Sequence, residues 1–116
     1  MSQSLTDLRD QVRAFAAERE WEPFHTPKNL AMALIVEAAE LVEHFQWRTP
    51  EQSADLDDNT RDEVGQEMAD ILIYLTRMAD VLDIDLMAAA ENKLAINARK
   101  YPVEKAKGSA AKYTEL

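Results

Sequence analysis

The sequence contains no cysteine, only two glycines and no apolar run of transmembrane length. Without cysteine there is no disulfide and no thiolate zinc site, and a reducing compartment fits. The longest apolar candidate is interrupted by Glu37 and Glu40, and the opening MSQSLTDLRDQ has no apolar signal core. A cytoplasmic protein with no membrane span is therefore expected. Bases are scarce as well: thirteen Lys and Arg face twenty-two acids, for a net charge of −9. Such a chain lacks the electrostatic footprint of a nucleic-acid polymer binder. It can still take one small polyanion if a divalent cation bridges the two. Three of the four prolines, Pro27, Pro50 and Pro102, stand at candidate helix boundaries. With so little glycine, this is a helical composition.

The 116 residues are 47 % hydrophobic, which suits one domain spanning 1–116 whose small size favours oligomerisation. A first helix is expected from Leu5 to about Glu20, capped by Ser4 with Asp7 three residues on. Leu5, Leu8, Val12 and Phe15 make its apolar stripe. Thr26 and Pro27 open a second helix reaching about Gln46 or Trp47, where Pro50 blocks it. The acidic stretch 51–59 reads as a solvated loop. A third helix is expected from Thr60, with Glu63 completing a capping box, to Leu82. Asp83 or Asp85 caps a fourth, which runs to about Tyr101. The tail beyond Pro102 reads as irregular, with Tyr113 and Leu116 able to dock on a neighbour. Four such helices with mostly short connections predict an all-α, antiparallel four-helix bundle.

The second helix carries an anomaly. From Leu30 to Val42 the sequence is LAMALIVEAAELV, in which eleven of the thirteen residues are apolar and cover the whole circumference. A helix apolar all round is expected to be buried all round. The exceptions, Glu37 and Glu40, are three residues apart and project from one side. The third helix repeats the device, with Glu67 and Asp70 in EMADILIYL. Acid pairs at this spacing are common on solvated faces, and a single pair would say little. Two pairs in apolar segments, neither containing Lys or Arg, need a positive counterpart, because buried ionised carboxylates without one cost several kcal/mol. Facing each other, they would present four hard oxygen ligand groups. That chemistry suits magnesium, with manganese as a substitute, rather than zinc. Neither pair shows the Glu-x-x-His of di-iron bundles, which argues against a redox centre.

A carboxylate-held magnesium keeps several waters and commonly completes its shell with substrate phosphate oxygens. Lys93, Asn97 and Lys100 share a face of the fourth helix and could grip phosphates, although basic last turns are also favoured by the helix dipole. Trp21 and His25 precede the second helix and Trp47 follows it; a tryptophan face can stack a base, and core packing is the commoner alternative. Asn29 can bond a base edge or sugar, and Tyr74 lies four residues beyond Asp70 on its face. His44 reads as a helical partner of Glu40 rather than a ligand.

E-x-x-E followed by E-x-x-D on two helices resembles the MazG-like superfamily of all-α nucleoside triphosphate pyrophosphohydrolases. FAAEREW, FHTPKNL, FQW and KYT are similar to its dCTP pyrophosphatase branch, and the resemblance covers nearly the whole chain. It implies a magnesium-dependent hydrolase that converts dCTP, or a modified dCTP, to dCMP and pyrophosphate by attack at the α-phosphorus, cleaning the nucleotide pool. Glu37, Glu40, Glu67 and Asp70 would be the metal ligands and catalytic groups. Trp21, His25, Asn29, Trp47 and Tyr74 would surround base and sugar, and Lys93, Asn97 and Lys100 would face the phosphates. Lys100 stands where a close relative would carry arginine, and lysine offers no bidentate fork. The resemblance also implies a homodimer or homotetramer with shared sites. The alternatives are the same reaction on dUTP or an oxidised nucleotide, a regulator that binds without turnover, or a non-catalytic helical interaction module with its acids solvated.

Overall fold

The computed structural model describes residues 4–116, and no strand occurs among them, so the chain is all-α as expected. Helix α1 spans Leu5–Glu18. The Asp7 amide donates to Ser4 Oγ at 3.1 Å, and Asp7 Oδ2 accepts from the Ser4 amide at 3.4 Å, completing the capping box. The helix stops two residues short of the expected Glu20 because Glu20 adopts a left-handed φ of 55°. The Trp21 amide then reaches back to the Ala16 carbonyl and the Glu20 amide to Ala17. This is a Schellman closure made without glycine. A 3₁₀ turn, Glu22–Phe24, leads into α2, Pro27–Glu43, which Thr26 caps through the Asn29 amide.

Helix α2 ends at Glu43 rather than at Gln46 or Trp47, and the chain turns on through residues 44–47. Pro50 does more than block it. It opens a short helix α3, Pro50–Ser53, with Thr49 and Gln52 forming a capping box inside the stretch expected to be loop. Helix α4, Asp58–Val81, begins two residues before the expected Thr60. Asp57 is the cap, accepting from the Thr60 amide at 2.7 Å, and the Thr60–Glu63 box does not form; Glu63 instead accepts from Asn59 Nδ2. An aspartate is the better cap, and it places Asp58 in the first turn, where the dipole favours an acid. Asp83, at φ 54°, closes α4 with a second glycine-free Schellman turn, the Ile84 amide donating to Ala79 at 2.8 Å.

Contacts divide the chain into two compact units, Met1–Ile84 and Asp85–Leu116. In the first, α4 is central and packs on both α2 and α1. Ala16, Leu30, Val64 and Ala79 are buried there. The expectation that α2 is buried all round does not hold within the first unit: Met32, Ile35, Val36 and Val42 are each more than half exposed. Packing on α4 covers one side of α2 and leaves these residues outside.

In the second unit, Asp85 caps α5, Leu86–Lys100, through the Ala88 amide. Pro102 ends α5 and precedes a short α6, Val103–Ala106, and a 3₁₀ turn follows at Tyr113–Glu115, so the tail is more ordered than expected. Tyr113 packs edge-on against Tyr101, with ring centroids 5.9 Å apart, and Lys100 Nζ lies 4.8 Å over the Tyr113 ring. Among the described residues no helix is long and apolar enough to cross a membrane.

Candidate metal centre

Helical spacing sets Glu37 and Glu40 one turn apart on α2, and Glu67 and Asp70 one turn apart on α4. Docking of α2 on α4 brings the pairs together. One carboxylate oxygen from each of Glu37, Glu67 and Asp70 lies within 4.8 Å of the others. Glu40 adjoins this group, and its carboxylate acts on both Glu37 and Glu67. Asp70 is exposed, and the other three are half-buried.

The electrostatics of this cluster are uncompensated. Glu37 Oε2 and Glu67 Oε2 are buried oxygens with no hydrogen-bond donor. Ionised carboxylates offer one another only lone pairs. Burial first, then the Glu40 carboxylate, and then Asp70 and Glu67 push the Glu37 carboxyl up to about 7. Glu67 is raised in the same way, by burial and then by Glu40, with Glu37 partly opposing. Among the described residues no Lys or Arg forms an ion pair with any of the four. Orphaned oxygens and an all-oxygen donor set fit a hard divalent cation and lack the nitrogen and sulfur ligands that favour zinc.

The remaining candidates fall into separate places. Trp21 and His25 meet, with centroids 6.0 Å apart and planes at 66°, and Phe15 also meets Trp21 at 5.8 Å. His25 Nδ1 accepts from Arg77 Nε at 3.1 Å. Asn29 Nδ2 donates to the Phe24 carbonyl at 3.1 Å, which ties the 3₁₀ turn to the start of α2. Trp47 is 88 % exposed beyond α2 and makes no ring contact with Trp21 or His25 among the described residues. Tyr74 is half-buried on α4, one turn past Asp70. Lys93, Asn97 and Lys100 lie on α5 in the second unit. His44 pairs with Glu63 at 4.0 Å, not with Glu40.

Arg77 was not singled out from the sequence. It is a buried cation on α4 that joins His25 to Asp80, and its only signal in the sequence is a lone arginine in the apolar run LIYLTRMA.

Comparisons with known proteins agree with this layout. The model of the MazG-like family matches residues 32–116. The chain is 44 % identical over 115 residues to dCTP pyrophosphatase 1 of Bos taurus, covering 97 % of this chain and 68 % of the relative. It is 43 % identical to dCTP pyrophosphatase 1 of Homo sapiens over the same shares. The crystal structure of a pyrophosphatase from Archaeoglobus fulgidus superposes with a TM-score of 0.80 at 40 % identity, covering 88 % of this chain and 95 % of that one. Such matches, together with a helical bundle that converges its acid pairs, establish that the chain belongs to the MazG-like family.

Proposed function

We propose that this protein is a divalent-metal-dependent pyrophosphohydrolase that cleaves dCTP, or a modified dCTP, to dCMP and pyrophosphate, as a single MazG-like domain serving the cytosolic nucleotide pool. The observation that carries the chemistry is the gathering of Glu37, Glu67 and Asp70 within 4.8 Å with two buried oxygens left without donors. The relatives named dCTP pyrophosphatase 1 support the substrate.

Glu37, Glu40, Glu67 and Asp70 would hold magnesium, with manganese as a substitute. Such an ion supplies charge neutralisation for a triphosphate and acidifies water in its shell. One of the four carboxylates takes the proton of the water that attacks the α-phosphorus, while the α–β bridging oxygen departs with pyrophosphate. Trp21, His25, Asn29 and Trp47 would surround the base and sugar, with Tyr74 near the sugar. Lys93, Asn97 and Lys100 are assigned to the phosphates on resemblance to the family.

Product analysis tests the reaction. Incubation of each common triphosphate with protein and magnesium is expected to release pyrophosphate, fastest from dCTP. Orthophosphate as first product would reject the chemistry, and a higher kcat/KM for another base would reassign the substrate.

We also propose a homodimer or homotetramer, supported by the exposed apolar residues of α2. Ile35→Asp is expected to lower the mass measured by analytical ultracentrifugation; a monomeric wild-type protein would reject assembly.

A further inference from the structure

Four side chains outside the carboxylate cluster form a continuous chain of hydrogen bonds across the first unit. Arg13 of α1 grips Asp80 of α4 with two guanidinium nitrogens, one of them Nε at 2.8 Å from Oδ2. Arg77 Nη1 donates to the same Asp80 oxygen at 3.2 Å, and Arg77 Nε donates to His25 Nδ1 at 3.1 Å. The Arg77 side chain is 7 % exposed and that of Asp80 9 %. A guanidinium this deep is held in place by its partners: Asp80 supplies its counter-charge and His25 a neutral acceptor, and losing Asp80 would leave a buried charge unpaired. An arrangement of this kind imposes orientation on whatever lies at its free end.

That end is His25. A guanidinium N–H donates and never accepts, and arginine stays protonated at any relevant pH. Nδ1 must therefore carry a lone pair, which leaves the single ring proton on Nε2. A second proton would destroy the bond to Arg77 and set two cations in contact. Burial and then Arg77 lower the His25 pKa, against the opposing influence of Glu22. The Trp21 ring that meets His25 is uncharged. Asp80, held low by Arg13 above all, remains ionised and balances Arg77 rather than His25.

We propose that Arg77 is a positioning residue for nucleotide binding: it locks His25 as the neutral, Nε2-protonated tautomer, so that the ring offers one hydrogen-bond donor and no charge to an acceptor on the base or sugar. The ligand in this statement rests on the nucleotide reading above; the lock itself does not. An uncharged donor suits a carbonyl of a pyrimidine or a sugar oxygen. It also keeps the base end of the site from competing with the metal centre for the phosphates, which a charged imidazolium would do. Recognition at this end then stays constant across neutral pH, where an unrestrained histidine would change charge.

The lock is read directly by ¹H–¹⁵N long-range correlation spectra of the imidazoles in the full-length protein, without any substitution. His25 is expected to show a protonated Nε2 and a bare Nδ1 throughout the neutral range; a ring protonated on Nδ1, or charged at neutral pH, overturns the proposal. Arg77→Met is expected to return His25 toward the ordinary titration at about 6.5 and to mix the tautomers. In the same variant KM for dCTP with magnesium should rise about three- to tenfold, the scale of one hydrogen bond, with a new dependence on pH below the histidine pKa and little change in kcat. A variant that loses thermal stability yet keeps the wild-type KM–pH profile makes Arg77 merely structural and overturns the proposal. Failure of the wild-type protein to bind any nucleotide, with the tautomer as expected, instead rejects the nucleotide reading and with it the ligand assigned to His25.

Discussion

Replacing Glu37 with glutamine is expected to abolish turnover and, at the same time, to stabilise the metal-free protein. The loss of kcat should be roughly 10²–10³-fold or more, the scale of removing one pre-organised electrostatic contact from a transition state. The gain in stability follows from the sign of the Glu37 shift. Its folded-state pKa of about 7 lies above the ordinary 4.5, so the ionised carboxylate is penalised by folding. That penalty is absent below about 4.5 and complete above about 7. The amide removes it and adds a donor for the neighbouring carboxylates. The variant's thermal midpoint without metal should therefore exceed the wild-type value most clearly above neutral pH, with the difference shrinking as pH falls. Magnesium should reverse the order. A ligand at a hundred times its Kd stabilises the folded state by about 2.7 kcal/mol, and the variant with a damaged site should gain much less. Retained turnover, or an undiminished magnesium-induced shift, would remove Glu37 from the site.

Metal affinity is expected to depend steeply on pH in the same window. Glu37 and Glu67 are both raised, and a protonated carboxyl must lose its proton before it can ligate. As pH falls below about 7, the proton taken up by Glu37 should weaken binding by about tenfold per pH unit, and the raised Glu67 adds to the loss in the same direction. Titration calorimetry in two buffers of different ionisation enthalpy counts those protons directly. Release should be clear on the acid side of neutrality and vanish on the alkaline side. A flat affinity with no proton release would mean that the acids which titrate are not the ones that hold the ion. The metal-free protein should lose stability as pH rises through this range, because raised carboxyls stabilise the folded state only while they remain protonated.

Local rules were read correctly where a single turn of chain decides the outcome. Ser4 and Thr26 cap the helices they precede, and Pro102 ends α5; of the two aspartates that could cap α5, the structure uses Asp85. Where local rules offer two solutions, they do not decide between them by themselves. Thr60 with Glu63 made a plausible start for α4, but Asp57 lies upstream and is the stronger cap. Glu20 and Asp83 end helices in left-handed conformations that glycine would have announced and that these residues do not. The apolar circumference of α2 signals burial without saying whether the cover comes from the same chain or another. The first unit covers only one side of it.

The amino-acid sequence determined by itself that this chain is helical, where α1 and α2 begin, and that two pairs of acids one turn apart sit in apolar segments without a nearby base. These follow from backbone propensity and from a period of 3.6 residues, which act over a few residues at a time. Only the tertiary structure decided that Glu37, Glu67 and Asp70 meet within 4.8 Å, that two of their oxygens are left without donors, and that Arg77 reaches His25 from 52 residues away. Those facts depend on how α2 and the 3₁₀ turn before it dock on α4. Docking sums many small apolar contacts across distant segments, and no local pattern specifies which side chains it will bring face to face.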